Sequence, residues 1–279
     1  MDRDRTADHI KGKRVLVTGA TDGIGRETAL ELSGMGAEVL VHGRNEDKAK
    51  SIMAEIKETT GAESDLLIAD FASLREVRDL AEEIQKRYDR LDVLTNNAGV
   101  YMENRETSED GYEMTFAVNH LALFLLTLSL LDLMKQSAPS RIVNVGSMAH
   151  ASDLDFDNLQ GESSFSGYDA YSRSKLCVHL FTFRLAEKLK GTGVTVNCLH
   201  PGIISTKLLH AFGISGGASV EKGAGNLIHA AASPDLENVT GKYFVDREKT
   251  EPASISFDRK VQDRLWRLSE EHVKEFLEA

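Results

Sequence analysis

Four side chains in this sequence can be assembled into a proton-transfer group: Asn119, Ser147, Tyr171 and Lys175. The last two are spaced Tyr171-Ser172-Arg173-Ser174-Lys175. Residues four apart on a helix lie one above the other, so an ammonium can sit beneath a phenol. A tyrosine ordinarily titrates near pH 10, and using it near pH 7 requires stabilising its anion by about three pH units, roughly 4 kcal/mol. A fixed cation acts in that direction. Taken alone, the spacing also fits an ordinary amphipathic helix face, and the surrounding elements must decide between the two.

The segment Arg14-Val15-Leu16-Val17-Thr18 has the bulky, β-branched run of a short buried strand. It leads into Gly19-Ala20-Thr21-Asp22-Gly23-Ile24-Gly25 and then a helical stretch, Arg26 to Leu32. Gly19 permits a tight turn, Gly23 lets the backbone approach a pyrophosphate, and Gly25 lets the helix pack closely on the strand. The N–H groups at the new helix start face the phosphates, and Thr21, Asp22 and Ile24 lie in the same loop. The spacing departs from G-x-G-x-x-G, and glycine-rich turns also occur without nucleotides; the strand before and the helix after favour a dinucleotide. The next strand, Glu38-Val39-Leu40-Val41-His42, ends at Gly43-Arg44. An acid there would bind the ribose hydroxyls of NAD, whereas Arg accommodates the extra phosphate of NADP. His42, Gly43 and Arg44 include no acid, so the sequence predicts NADP(H) in preference to NAD(H), with Arg44 on the 2′-phosphate.

Another strand, Leu91-Asp92-Val93-Leu94-Thr95-Asn96, is closed by Asn97-Ala98-Gly99. With the glycine loop from Thr18 to Gly25, Ser147 and Tyr171-x-x-x-Lys175, the chain resembles the short-chain dehydrogenase/reductase family. Within it the sequence is similar to the retinol-dehydrogenase-like branch, which includes the WW-domain oxidoreductases. The similarity is carried by Asp110-Gly111-Tyr112-Glu113, Val118-Asn119-His120-Leu121, Phe124-Leu125-Leu126-Thr127, Asn158-Leu159-Gln160-Gly161-Glu162, Leu199-His200-Pro201-Gly202 and Thr240-Gly241-Lys242-Tyr243-Phe244. It spans residues 10 to 270 and is weakest between Leu208 and Ser219.

The resemblance implies hydride transfer between a nicotinamide and a carbonyl or alcohol. Tyr171 would be the general acid/base, Ser147 would polarise the carbonyl, and Lys175 would hold the nicotinamide ribose. Asn119 would support a water-linked proton path behind Lys175. Asp70 and Phe71 would meet the adenine, while Asn97, Ala98 and Gly99 would pack beside its ribose and the central sheet, Asn97 in a more structural part. Pro201, Gly202 and Ile204 would border the nicotinamide, and Thr206 would bond its carboxamide or the pyrophosphate. Membrane-bound members carry an N-terminal hydrophobic anchor and WW-domain members carry extra modules; neither is expected here.

Alternating strand and helix signals predict an α/β fold: a single-domain Rossmann-type doubly wound parallel sheet of about seven strands with helices on both faces. Strands are expected near Val15, Val39, Leu66, Val93, Val143, Val196 and Phe244, and long helices over Leu74 to Tyr88, Tyr112 to Lys135, Tyr168 to Leu189 and Asp258 to Glu278. Residues 1–9 are expected to fray, and 10–279 to form one domain with a substrate lid near 207–219, where glycines are frequent. Leu154, Phe156, Leu159 and Phe165 are candidates for an apolar substrate pocket.

The 279 residues carry 33 basic and 44 acidic side chains, a net charge of −11 that argues against binding nucleic acid. The apolar stretch Leu121 to Leu131 is taken as too short to cross a bilayer, which leads to the expectation of a soluble, cytoplasmic chain without an integral membrane segment. Cys177 and Cys198 read as core residues, and the nine histidines show no compact metal-ligand spacing, so no metal is expected. The substrate expected is a small hydrophobic carbonyl or alcohol: an aldehyde, retinoid-like or steroid-like compound. The long helices could build a homodimer or homotetramer. Two other readings are a catalytically silent nucleotide sensor or scaffold, and a β-ketoacyl-type reductase, which would want a basic docking surface.

Overall fold

The computed structural model describes residues 3–278. Its strands are β1 (Arg14–Val17), β2 (Glu38–Gly43), β3 (Asp65–Ile68), β4 (Val93–Asn96), β5 (Ser140–Val145), β6 (Val194–His200), β7 (Tyr243–Val245) and β8 (Glu248–Thr250). They form one sheet in the order β3-β2-β1-β4-β5-β6-β7-β8. All pairings are parallel except β7 with β8. Successive side chains of a strand point to opposite faces. Accordingly Leu16, Leu40, Leu94, Ile142 and Val196 enter one buried cluster, and Val15, Val17, Val39, Val41, Val93 and Val143 enter the other.

The helices are α1 (Arg3–Ile10), α2 (Gly23–Gly34), α3 (Glu46–Thr60), α4 (Leu74–Arg87), α5 (Met114–Gln136), α6 (Gly167–Lys188), α7 (Lys207–Ala211), α8 (Val220–Ala232) and α9 (Arg259–Glu278). Apolar residues of α4, α5, α6 and α9 cover the first face, and those of α2, α3 and α8 the second. The strand order reverses between β1 and β4, which opens a crevice beyond their carboxyl ends, where open α/β sheets bind ligands.

Three expectations need correction. The sheet has eight strands because Asp246 and Arg247 turn the chain back through φ angles of 47° and 71°. The resulting edge strand, Glu248–Thr250, is wholly exposed and so lacks the apolar alternation that would announce it. The expected frayed terminus is a helix from Arg3: Thr6 and Ile10 are buried, and His9 Nε2 lies 3.0 Å from the Arg141 guanidinium. Residues 1 and 2 of that stretch, and residue 279, lie outside the described residues. The length argument against a membrane-spanning helix does not hold either, because α5 runs 23 residues and is long and apolar enough to cross one. Of its most apolar window 78% is buried inside the protein, as in a core helix.

A chain of buried amides ties α5 and α6 to the sheet. Asn96 Nδ2 donates to Asn144 Oδ1 at 2.8 Å and to Thr127 Oγ1 of α5 at 3.0 Å. Asn144 Nδ2 donates in turn to Thr182 Oγ1 of α6 at 2.9 Å. These three bonds fix which helix turn faces which strand.

Four buried histidines make the fold acid-sensitive. Burial pushes His42 and His200 down to about 4 and His120 to about 3, and holds His179 well below its ordinary value of 6.5. An unfolded histidine takes up a proton near pH 6.5 and these folded ones do not, so stability is full above pH 6.5 and falls as pH drops towards 4. Each histidine contributes a slope of about 1.4 kcal/mol per pH unit in that window. Urea unfolding is expected to show a clearly lower midpoint at pH 5.0 than at pH 7.5; equal midpoints would mean that these rings are solvated.

Candidate active site

The nucleotide end is built on contacts that only glycine permits. A Cβ on Gly25 would lie 2.3 Å from the Gly19 carbonyl oxygen and 2.5 Å from Asn97 Nδ2, so any other residue would drive α2 off the loop. Gly19 and Gly23 turn the chain through positive φ angles of 66° and 52°. Thr18 and Asn97 close the loop against β4: Thr18 Oγ1 accepts from Asn97 N at 2.9 Å and Ala98 N at 3.0 Å, and Asn97 Nδ2 donates to Thr18 O at 2.8 Å. Asn97 is therefore structural. Thr21 packs its methyl where a Cβ on Gly43 would be, 2.4 Å away.

Asp22 caps α2 by accepting from Gly23 N at 2.8 Å, and its carboxylate pairs with Lys207 from across the groove. That bond holds Asp22 below the usual carboxylate range. The Arg44 guanidinium is 70% exposed and lies 3.7 Å from Asp70, whose Oδ1 accepts from Ala72 N. His42 is a supporting residue that sequence reasoning missed. Its Nδ1 accepts from Gly19 N at 3.2 Å, Nε2–H donates to Ala69 O at 3.1 Å, and the ring stacks on Phe71 at 4.5 Å. The close glycine approach and the donors at the start of α2 fit a dinucleotide.

At the catalytic end, Ser147 follows β5 directly, and Tyr171 and Lys175 project from one face of α6. All three are nearly buried. The Lys175 Nζ donates to Val145 O at 2.8 Å and sits 5.5 Å from the centre of the Tyr171 ring. Asn119 lies in a π-helical turn of α5, Ala117–Leu121, a local widening frequent at functional sites. Its amide binds the Val100 backbone from both sides, at 2.7 and 3.0 Å, and donates to Ser174 Oγ at 2.9 Å. A Cβ on Gly99 would be 3.3 Å from Asn119 Oδ1 and 3.6 Å from Lys175 Nζ, so those two groups share one space. The four expected side chains are thus together.

Their electrostatics differ from expectation. Burial raises the Tyr171 phenol to about 12, with only a hydrogen bond to Ser147 acting in the opposite sense. Burial also lowers Lys175 to about 8. The cation was expected to bring the phenol down, yet burial raises it, and the ammonium is bonded to the Val145 carbonyl.

On the substrate side, Pro201 O accepts from Asn226 Nδ2 at 3.1 Å, Gly202 has φ 108°, and Ile204 is buried. Thr206 caps α7 by accepting from Leu209 N, and its methyl group lies beside Gly23. The 207–219 segment is ordered into α7 and a backbone pairing of Ile204 with Ala218. It carries Phe212 edge-on to Tyr171, with ring centres 4.8 Å apart. Tyr101 lies 4.0 Å from Phe212 and Tyr168 lies 6.5 Å from it, which completes an aromatic wall over the reacting phenol. The apolar residues expected there are elsewhere: Leu154 and Leu159 anchor in the core, Phe156 lies under the Arg264 guanidinium at 4.1 Å, and Phe165 packs on Gly161. Tyr101 was missed although it stands two residues after Gly99.

Comparison with known proteins identifies the family. Residues 13–213 match the model of the short chain dehydrogenase family. Human retinol dehydrogenase 13 is 41% identical over 92% of this chain and 83% of that protein. Retinol dehydrogenase 14 of Mus musculus is 42% identical over 94% of this chain and 86% of its own length. A short chain dehydrogenase from Escherichia coli CFT073, solved complexed with NADPH, superposes with a TM-score of 0.73 at 28% identity, covering 87% of this chain and 99% of that one. The chain therefore belongs to the short-chain dehydrogenase family, in its retinol-dehydrogenase-like branch.

Proposed function

We propose that this oxidoreductase is an NADP(H)-dependent enzyme that moves hydride between the nicotinamide and a hydrophobic carbonyl or alcohol, with Tyr171 as general acid/base. The observation that carries the reading is the buried Tyr171 hydroxyl beside Ser147 under the aromatic wall of Tyr101, Tyr168 and Phe212. The dinucleotide, bound along the glycine loop, supplies or accepts the hydride. Ser147 and Tyr171 place two hydroxyls where one carbonyl oxygen can take both hydrogen bonds. Tyr171 protonates that oxygen as the alkoxide forms, and in the opposite direction the phenolate removes the same proton. Lys175 keeps a cation in a water-poor site next to the phenol, where its field acts with little screening. The aromatic wall favours an aldehyde, retinoid-like or steroid-like group over a charged one.

Support for NADP(H) comes from the largely exposed Arg44 at the end of β2 and the lack of an acid at His42 or Gly43. The NADPH complex of the Escherichia coli relative is consistent with it. Since Phe212 lies over Tyr171, the 207–219 segment is read as a lid that must shift to admit a substrate.

Three measurements test this reading. Tyr171→Phe should bind NADPH as the wild type does and lose at least 100-fold in turnover across a panel of aldehydes, ketones and quinones; an active variant would remove Tyr171 as the acid. Arg44→Ala should weaken NADPH binding about ten-fold and leave NADH binding nearly unchanged, and equal losses for both would sink the NADP assignment. Cleavage of the 207–219 segment by protease should slow when NADPH and substrate are saturating, whereas unchanged cleavage would count against a lid.

A further inference from the structure

The turn that carries Ser147 is held by three histidines from different parts of the chain. His150, inside the turn, donates through Nδ1 to Ser147 O at 2.8 Å and accepts at Nε2 from Ala253 N at 3.0 Å. His200, the last residue of β6, accepts at Nδ1 from Met148 N at 3.3 Å. His179 lies on α6, four residues beyond Lys175 and eight beyond Tyr171 on the same face. It is wedged beneath Gly146: a Cβ there would be 2.6 Å from the His179 Nε2, so the residue before Ser147 is a glycine that leaves room for an imidazole.

The His179 ring packs 4.5 Å from His150 and 4.7 Å from Tyr243. Both of its nitrogens and the Tyr243 hydroxyl are buried with no hydrogen-bond partner among the described residues. A buried orphaned polar group is destabilising, and an apolar side chain of similar volume would fill the space without that cost. An imidazole against the backbone of the catalytic turn therefore calls for an explanation other than packing. The titratable groups that face it are Lys175 from its own helix, His150 from the turn, Cys198 and His200 from β6, and Tyr243 from β7. Asp246 and Tyr171 act on the same cluster through His200 and Tyr243. No group of three or more His, Cys, Asp or Glu side chains among the described residues could hold a metal ion, so the histidines are not a metal site.

We propose that His150, His179 and His200 form a cradle that holds the Gly146–Ala149 turn, and with it the Ser147 hydroxyl, in its reacting position beside Tyr171, with His179 as the principal positioning residue. His200 holds the turn by accepting a hydrogen bond from Met148 N, His150 holds it by donating to Ser147 O while its other nitrogen accepts from Ala253 N, and His179 supports it from below. The proposal rests on the reading of Ser147 as the partner of a substrate carbonyl.

The test compares His179→Leu and His179→Gln with the wild type, using the carbonyl compound identified in the panel. His179→Leu is expected to lower kcat ten-fold or more while the Kd for NADPH stays within two-fold and the unfolding midpoint does not fall. His179→Gln, a polar amide that does not titrate, is expected to recover most of kcat. Wild-type kcat in His179→Leu overturns the cradle, as does a loss that the amide fails to restore, which marks simple packing. Should His179→Leu not fold, Tyr243→Phe removes one oxygen beside the same ring; a three-fold or greater loss of kcat is expected, and unchanged kcat overturns the proposal. Failure of the wild type on every compound, or turnover by Tyr171→Phe, counts instead against the proposed reaction. Imidazole ¹⁵N NMR then tests the cradle alone: His179 is expected to stay neutral, with a slowly exchanging ring N–H, down to pH 5, and a ring titrating near pH 6.5 overturns it.

Discussion

Burying the Lys175 ammonium removes it from water, and the one hydrogen bond it gains in return, at 2.8 Å to the Val145 carbonyl, replaces only part of that solvation. The charge is weakened as a result, to about 8. Everything near the reaction is arranged around this constraint. The π turn brings Asn119 alongside, Gly99 leaves the space between amide and ammonium open, and α6 is held to β5 by the Asn144–Thr182 bond so that the ammonium meets the right carbonyl. A lysine on a solvated helix face would need none of these supports and could exert little field on the phenol. The site trades stability of the charge for proximity to the proton that must move.

The nucleotide end obeys a different constraint, steric rather than electrostatic. Helix α2 approaches the first glycine of its own loop so closely that a methyl on Gly25 would overlap the Gly19 carbonyl. That approach aims the free N–H groups of α2 into the crevice between β1 and β4. His42 and Asn97 brace the loop from both sides, one through Gly19 N and the other through Thr18 O. The Asp22–Lys207 pair then links the loop to the segment that carries Phe212, so the phosphate and substrate ends of the groove are in mechanical contact.

The parallel sheet, the long helices and the gathering of Asn119, Ser147, Tyr171 and Lys175 were legible because each is written in short-range signals: apolar runs for buried strands, glycine spacing for the turn, Tyr and Lys one helical turn apart. What escaped reading depends on partners distant in the chain. Strand β8 has no apolar side to betray it and exists because Asp246 and Arg247 accept positive φ. Helix α1 is polar along most of its length and is fixed by Ile10 and by His9 on Arg141, more than a hundred residues away. The aromatic wall joins Tyr101 and Phe212 to Tyr168 at the start of α6, and the phenol's affinity for its proton follows from burial that no local pattern encodes.

The strand order bears on how the chain is made. Strand β1 lies between β2 and β4, yet β4 is synthesised roughly 75 residues after β1 ends. At about 5 to 20 residues per second, one edge of β1 stays unpaired for roughly 4 to 15 s on the ribosome, while β2 and β3 already complete the other side. During that interval the nascent chain presents Val15, Leu16 and Val17 beside open backbone hydrogen-bonding groups, the kind of surface that pairs with other chains. The arrangement that creates the ligand crevice thus also sets the period in which the nascent protein most needs a chaperone.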